Sequence, residues 1–190
     1  MAEHSTVVLS AVQARALAHP LRLRLLVALR VSGAATATAL AQRLGTNSGQ
    51  TSYHLRRLAD AGLIVEDSEQ GRGRERWWRS AYDHQDWSVA ARSQDPDDRA
   101  AVEWLSGSVA RLHSGWLDAW LRTKGSWPAE WQEASDLSDW SLALTPDRAR
   151  ALVADLHAVV ERYQAEESAG EGAEQLVVQL HAFPRPELDL

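Results

Sequence analysis

The chain has 190 residues, 45% hydrophobic and 24% charged, with no cysteine; this is a globular composition that excludes a disulfide framework and a thiolate metal site. No apolar run approaches the roughly 18 residues of a membrane span and the N-terminus shows no signal-peptide pattern, so a cytoplasmic protein without membrane contact is expected. The net charge of −6 hides a division: residues 1–80 carry 11 Arg against 6 acidic residues, or +5, and residues 81–190 carry 9 basic against 20 acidic, or −11, so a basic half suited to an anionic partner is joined to an acidic half.

Ser5 or Thr6 can cap a first helix whose apolar residues Val8, Leu9, Val12, Ala16 and Leu17 share one stripe. Pro20 suits the first position of a second helix, because its ring fixes φ where no N–H is needed. From Leu21 to Val31 that helix is apolar nearly all round, which predicts burial at the centre of a core with Arg22 and Arg24 reaching its edges. A short helix over Thr36–Leu44 then stops at Gly45. Another starts at Asn47 or Ser48 and ends at Gly62. Leu63-Ile64-Val65 and Glu75-Arg76-Trp77-Trp78-Arg79 flank the turn Gln70-Gly71-Arg72-Gly73-Arg74. Two short helices followed by a hairpin spell a winged helix-turn-helix.

This layout nominates a DNA-reading surface. Residues at the start of the second helix of such a pair meet base edges in the major groove. Here these are Ser48, Gln50, Thr51, Ser52 and Tyr53; Gln pairs bidentately with adenine, and Ser and Thr are adaptable. His54, Arg56 and Arg57 suit phosphates, which position the protein without reading sequence. In the turn, Arg72, Arg74 and Arg76 alternate around two glycines, either to reach a phosphate or narrow minor groove, or simply as surface charges on a solvated hairpin.

Ala18-His19-Pro20-Leu21-Arg22, Leu40-Ala41 with Leu44-Gly45, Ser52-Tyr53-His54-Leu55-Arg56-Arg57-Leu58 and Ala61-Gly62-Leu63-Ile64 together resemble the ArsR-type bacterial repressors over about residues 10–80. The resemblance implies a homodimeric winged-helix transcriptional regulator that binds an imperfect palindrome of double-stranded DNA, with its recognition helix beginning near Ser48. Many members sense metals through cysteines in the helix aligned with residues 36–44. Ala and Thr occupy those positions here, so a non-metal effector is expected.

In the second half, Asp95-Pro96-Asp97-Asp98 is a helix start, with an Asp cap and acids at the positive end of the dipole. The helix is expected over 96–124, with Val102, Leu105, Val109, Leu112, Trp116 and Trp120 recurring at spacings of three and four. By resemblance to ArsR-type dimers it joins the first helix in the dimer interface; the periodicity equally fits packing within one subunit. Alternation over 138–144 predicts a strand, Thr145-Pro146-Asp147 caps a helix over 146–167, and 175–183 reads as a second strand before Pro184 and Pro186.

The expected fold is therefore α+β, mainly α: a winged helix-turn-helix domain over 1–82, then a dimerisation or sensor region over 83–190 with a long helix and a C-terminal β-α-β unit. Trp116, Trp120, Trp127 and Trp131 would either line a pocket for a small apolar or aromatic effector or serve as core and interface residues. The seven histidines are scattered, and no nucleophile elbow, phosphate loop or dinucleotide fingerprint occurs. The expectation is a DNA-binding regulator without catalytic residues, metal or cofactor. Its competitor is a winged-helix module that binds a protein instead of DNA.

Overall fold

In the computed structural model, which describes residues 6–68, 75–82, 84–86, 93–165, 170 and 172–187, the chain begins with a strand where the sequence suggested a helix start at Ser5 or Thr6. β1 (Thr6–Val8) runs parallel to β5 (His84–Asp86), with Val7 opposite Gln85. Thr6, Val7 and Val8 are all β-branched and favour extended backbone. The helix start moves to Ser10, whose hydroxyl accepts the Gln13 N–H at 3.3 Å while the Gln13 side-chain oxygen accepts the Ser10 N–H at 3.0 Å. This reciprocal cap opens α1 (Ala11–Leu17).

Pro20 occupies the first position of α2 (Pro20–Ser32), and Leu21, Leu25, Leu26, Ala28 and Leu29 are buried along it. Arg24 leaves this apolar helix to donate to the Leu44 carbonyl at 3.0 Å, setting a cation at the negative end of the next helix. β2 (Ala35–Thr36) leads into α3 (Ala37–Leu44), where the Thr36 hydroxyl accepts the Ala39 N–H at 3.2 Å. Gly45, at φ 64°, ends α3: its N–H reaches Gln42 O and the Thr46 N–H reaches Ala41 O. Gly62, at φ 70°, ends α4 (Ser48–Asp60) in the same way, with Leu63 N–H donating to Leu58 O. Both are left-handed closures that glycine adopts without a Cβ penalty.

β3 (Ile64–Glu66) and β4 (Trp77–Ser80) pair antiparallel, Val65 opposite Arg79, and β2 joins the far side of β4 with Ala35 opposite Trp78. The sheet order is β2-β4-β3. Leu25, Leu40, Leu55, Leu58 and Leu63 meet in one core, each with 0% exposure, and Trp78 and Leu105 close it. Leu105 belongs to α5 (Pro96–Thr123), capped by Asp95, whose side chain accepts the Asp97 N–H at 2.8 Å. The buried Asp98 carboxylate pairs with Arg15 of α1 and accepts the Ser93 hydroxyl at 2.7 Å, so its charge is matched on both oxygens.

The structure forms two compact units, Met1–Arg111 and Leu112–Leu190, with the division inside α5. In the second unit α6 (Ala129–Glu133) is a single short turn and α7 (Pro146–Gln164) is capped by Thr145, as its sequence indicates. Its apolar residues Leu156, Val159 and Tyr163 stay exposed. The strands expected at 138–144 and 175–183 are not formed: both segments carry no ladder, and only the helix of the β-α-β unit is present. Alternation marks a segment suited to a sheet, but a ladder also needs a facing edge. Within one chain the two segments do not provide one for each other.

Candidate nucleic-acid interface

α4 starts at the Asn47 cap, whose side chain accepts the Gln50 N–H at 2.7 Å. Its exposed face carries Ser48, Gln50, Tyr53, Arg56 and Arg57, with Ser52 half-buried. The Gln50 side-chain oxygen accepts the Thr46 hydroxyl at 2.9 Å, which steadies the amide and leaves its –NH2 to donate. A helix N-terminus lined by short polar side chains, with arginines one to two turns on, is a surface that can present donors to bases and charge to phosphates.

Two nominated residues lie elsewhere. Thr51 is fully buried and His54 is 7% exposed. They share the inward face with Leu55 and Leu58 through the three- and four-residue helical period, so neither is available to a base or phosphate. Both are polar by type, but their register on α4 places them inside. The Thr51 hydroxyl and His54 Nδ1 are buried without a hydrogen-bond partner among the described residues.

The His54 ring lies 4.4 Å from the His19 ring, and the Leu21 N–H donates to His19 Nδ1 at 3.2 Å, which requires that nitrogen to be unprotonated. Burial, then the Arg22 charge, lowers the His19 pKa; burial, then His19 and Arg22, lowers that of His54. The unfolded chain therefore takes up protons first as pH falls through the ordinary value of 6.5. Stability is complete above that value and declines below it until the folded-state values are passed. Thermal unfolding at pH 7.5 and 5.5 should show this loss, and His54→Gln should reduce it. An unchanged pH response in that variant would remove His54 from the account.

Arg22, which the sequence placed only at an edge, belongs to the charged face. Its pKa is lowered by burial first and by the Arg57 charge second, with Tyr53 opposing, so α2 and α4 bring two guanidinium groups into mutual influence. Its Nε is buried without a partner among the described residues. Arg57 has a loose contact with Asp60 at 3.9 Å, both side chains being more than half exposed, which is a weak pair. An anion at this edge would relieve the repulsion between Arg22 and Arg57. The signal in the sequence was two arginines interrupting an otherwise apolar helix.

Between the start of α3, the middle of α4 and β4 lies an open cleft of about 260 Å³, lined by Thr36, Thr38, Ser52, Arg56, Arg76 and Trp78 among others. Thr38, exposed in the first turn of α3, was not singled out from sequence. Arg76 approaches Glu66 at 3.8 Å across β4 and β3 with both side chains exposed. Arg72 and Arg74, nominated at the tip of the wing, lie outside the described residues.

In the second unit, Trp120 and Trp127 come together with ring centroids 6.1 Å apart, while Trp116 stacks on His113 at 5.9 Å. A shallow cleft of about 190 Å³ beside them is lined by Trp120, Leu121, Lys124, Gln132, Ser135, Asp136 and Leu137. Of the four tryptophans nominated for an effector pocket, only Trp120 lines this cleft. His113 Nδ1 lies 2.9 Å from His181 Nε2, a pairing invisible in the sequence because 68 residues separate them. Among the described residues no group of three or more His, Cys, Asp or Glu is gathered as a metal site.

The crystal structure of RV1404 from Mycobacterium tuberculosis is similar to this chain at 18% identity, covering 83% of this chain and 84% of that one, with a TM-score of 0.32. No curated protein matches. A family model described as a helix-turn-helix domain matches residues 17–67, spanning α2, α3, α4 and β3. Residues 17–67 are a helix-turn-helix domain, and the β3–β4 pair that follows α4 makes it a winged one.

Proposed function

We propose that the protein is a homodimeric transcriptional regulator of the ArsR type, a cytoplasmic repressor that binds a palindromic operator and is released by a small non-metal effector. The observation that carries this reading is the exposed face of α4: Ser48, Gln50 and Tyr53 at its start, Arg56 and Arg57 beyond, in a domain matched as helix-turn-helix. In this reading residues 1–82 bind DNA, and residues 83–190 dimerise and hold the effector, with Trp116, Trp120, Trp127 and Trp131 as its aromatic contacts. The protein is a binder and not an enzyme. No described helix is long and apolar enough to cross a membrane.

The chemistry divides along α4. Its N-terminal turn enters the major groove, where Gln50 donates and accepts against an adenine edge and Ser48, Ser52 and Tyr53 adapt to neighbouring bases. Arg56 and Arg57, with Arg22 from α2, hold phosphates on one flank of the groove, and Arg72, Arg74 and Arg76 of the wing hold them on the other. Two copies would set their recognition helices about 34–36 Å apart, one turn of the duplex.

Gln50→Ala tests base reading. Affinity for an operator selected from the chain's own upstream region should fall by roughly 10-fold or more, while affinity for a scrambled duplex stays within about 2-fold, because a bidentate base contact contributes about 1–3 kcal/mol of discrimination. Equal losses on both duplexes, measured by fluorescence anisotropy, would show that Gln50 does not read sequence.

A further inference from the structure

Among its described residues the second unit has no core of its own: none is buried. Of the 17 large apolar residues exposed in the described chain, 14 fall between Leu121 and Phe183. At on the order of 100 Å² each, these side chains present roughly 1,400 Å² of apolar surface in all.

Much of that surface lies on two segments outside any helix. Trp140, Leu142 and Leu144 alternate in sequence along the first and are 78%, 60% and 44% exposed; Leu176, Val178 and Leu180 do so along the second at 65%, 61% and 40%. The second segment is held down: the Gln179 side chain donates to the His113 carbonyl at 3.1 Å, and His181 meets the His113 ring at 2.9 Å. Gln179 and His181 thus meet α5, while Leu176, Val177, Val178 and Leu180 stay exposed. Neither 139–144 nor 174–183 makes a backbone hydrogen bond among the described residues. Bare N–H and C=O groups beside an apolar row form an open strand edge, the feature that recruits another strand.

We infer that residues 137–144 and 174–183 form an intermolecular β-sheet with a second copy of this chain, and that this pairing gives residues 112–190 their core. A copy related by a twofold axis presents the same segment in the opposite direction, so antiparallel pairing across the axis matches each apolar row with itself and satisfies its backbone. The area also fits. A stable interface takes about 800 Å² from each partner, and obligate dimers take more and are more apolar; the nine of these residues that lie within 137–144 and 174–183 offer roughly 900 Å². Residues 112–190 carry 6 basic against 14 acidic residues, or −8, so the same surface is unsuited to nucleic acid. The inference rests on the homodimer part of the proposed function and adds which segments join the copies. It does not rest on DNA binding.

Hydrogen exchange and sedimentation of the full chain test it. The amides of 139–144 and 175–183 should be protected at concentrations where the chain sediments as a dimer and should lose protection on dilution to monomer. Leu142→Asp with Val178→Asp should weaken dimerisation by roughly 30-fold or more, as for central interface residues, while the amides of α2 and α4 keep their protection. A monomeric chain at all accessible concentrations would overturn both this inference and the homodimer reading. A dimer in which these amides exchange freely, or are protected to the same extent in the monomer, would overturn this inference alone.

Discussion

Leu55→Ala should cost the helix-turn-helix domain about 2–5 kcal/mol, the range for emptying a fully buried leucine site. Leu55 has 0% exposure and lies in the single core shared by Leu25, Leu40, Leu58 and Leu63. It also sits on α4, so the void opens directly beneath the exposed face that carries Gln50 and Arg56. Against a total stability of about 5–15 kcal/mol for a domain, the midpoint of thermal unfolding should fall by roughly 10 °C or more. DNA affinity at 37 °C should fall with the folded fraction and recover at low temperature. Tyr53→Ala on the opposite face, 57% exposed, should shift stability by no more than about 0.5 kcal/mol. A Leu55→Ala loss below about 1 kcal/mol would contradict the placement of the core.

The second large effect is electrostatic. Replacing Arg56, Arg57 and Arg76 together by Ala should weaken binding to any duplex by roughly two orders of magnitude at physiological salt, with operator and scrambled DNA affected alike. Each lost phosphate contact removes about 0.9 from the slope of log K against log salt, so the slope should shrink by up to about 2.7. All three side chains are exposed and at most loosely paired, so the variant should fold as the parent does. Circular dichroism provides that control. A slope unchanged by the triple replacement would show that these arginines do not touch phosphates.

The first unit was legible because its signals are local. Pro20 at a helix start, Gly45 and Gly62 as left-handed closures, and leucines at helical spacing each fix their surroundings through sequence neighbours. The reading failed where local rules compete. Thr6-Val7-Val8 could cap a helix or extend, and β5, some 80 residues away, provides the pairing for extension. His54 looked like a phosphate ligand by type, but its register with Leu55 and Leu58 places it inside. Arg22 gains its surroundings from Arg57 and Tyr53 on another helix, which no spacing rule links. For 138–144 and 175–183 the alternation predicts strands that do not form, because alternation carries no information about whether a facing edge is present.

The most direct test of the account is the salt dependence of binding between the unmodified protein and a duplex from its own upstream region. A DNA reader with six or so phosphate contacts should show log K falling linearly with log salt at a slope near −5, with tighter binding to the operator than to a scrambled duplex at every salt concentration. Binding that is absent, or that does not change between roughly 50 and 200 mM salt, would contradict a DNA-reading role for the exposed face of α4.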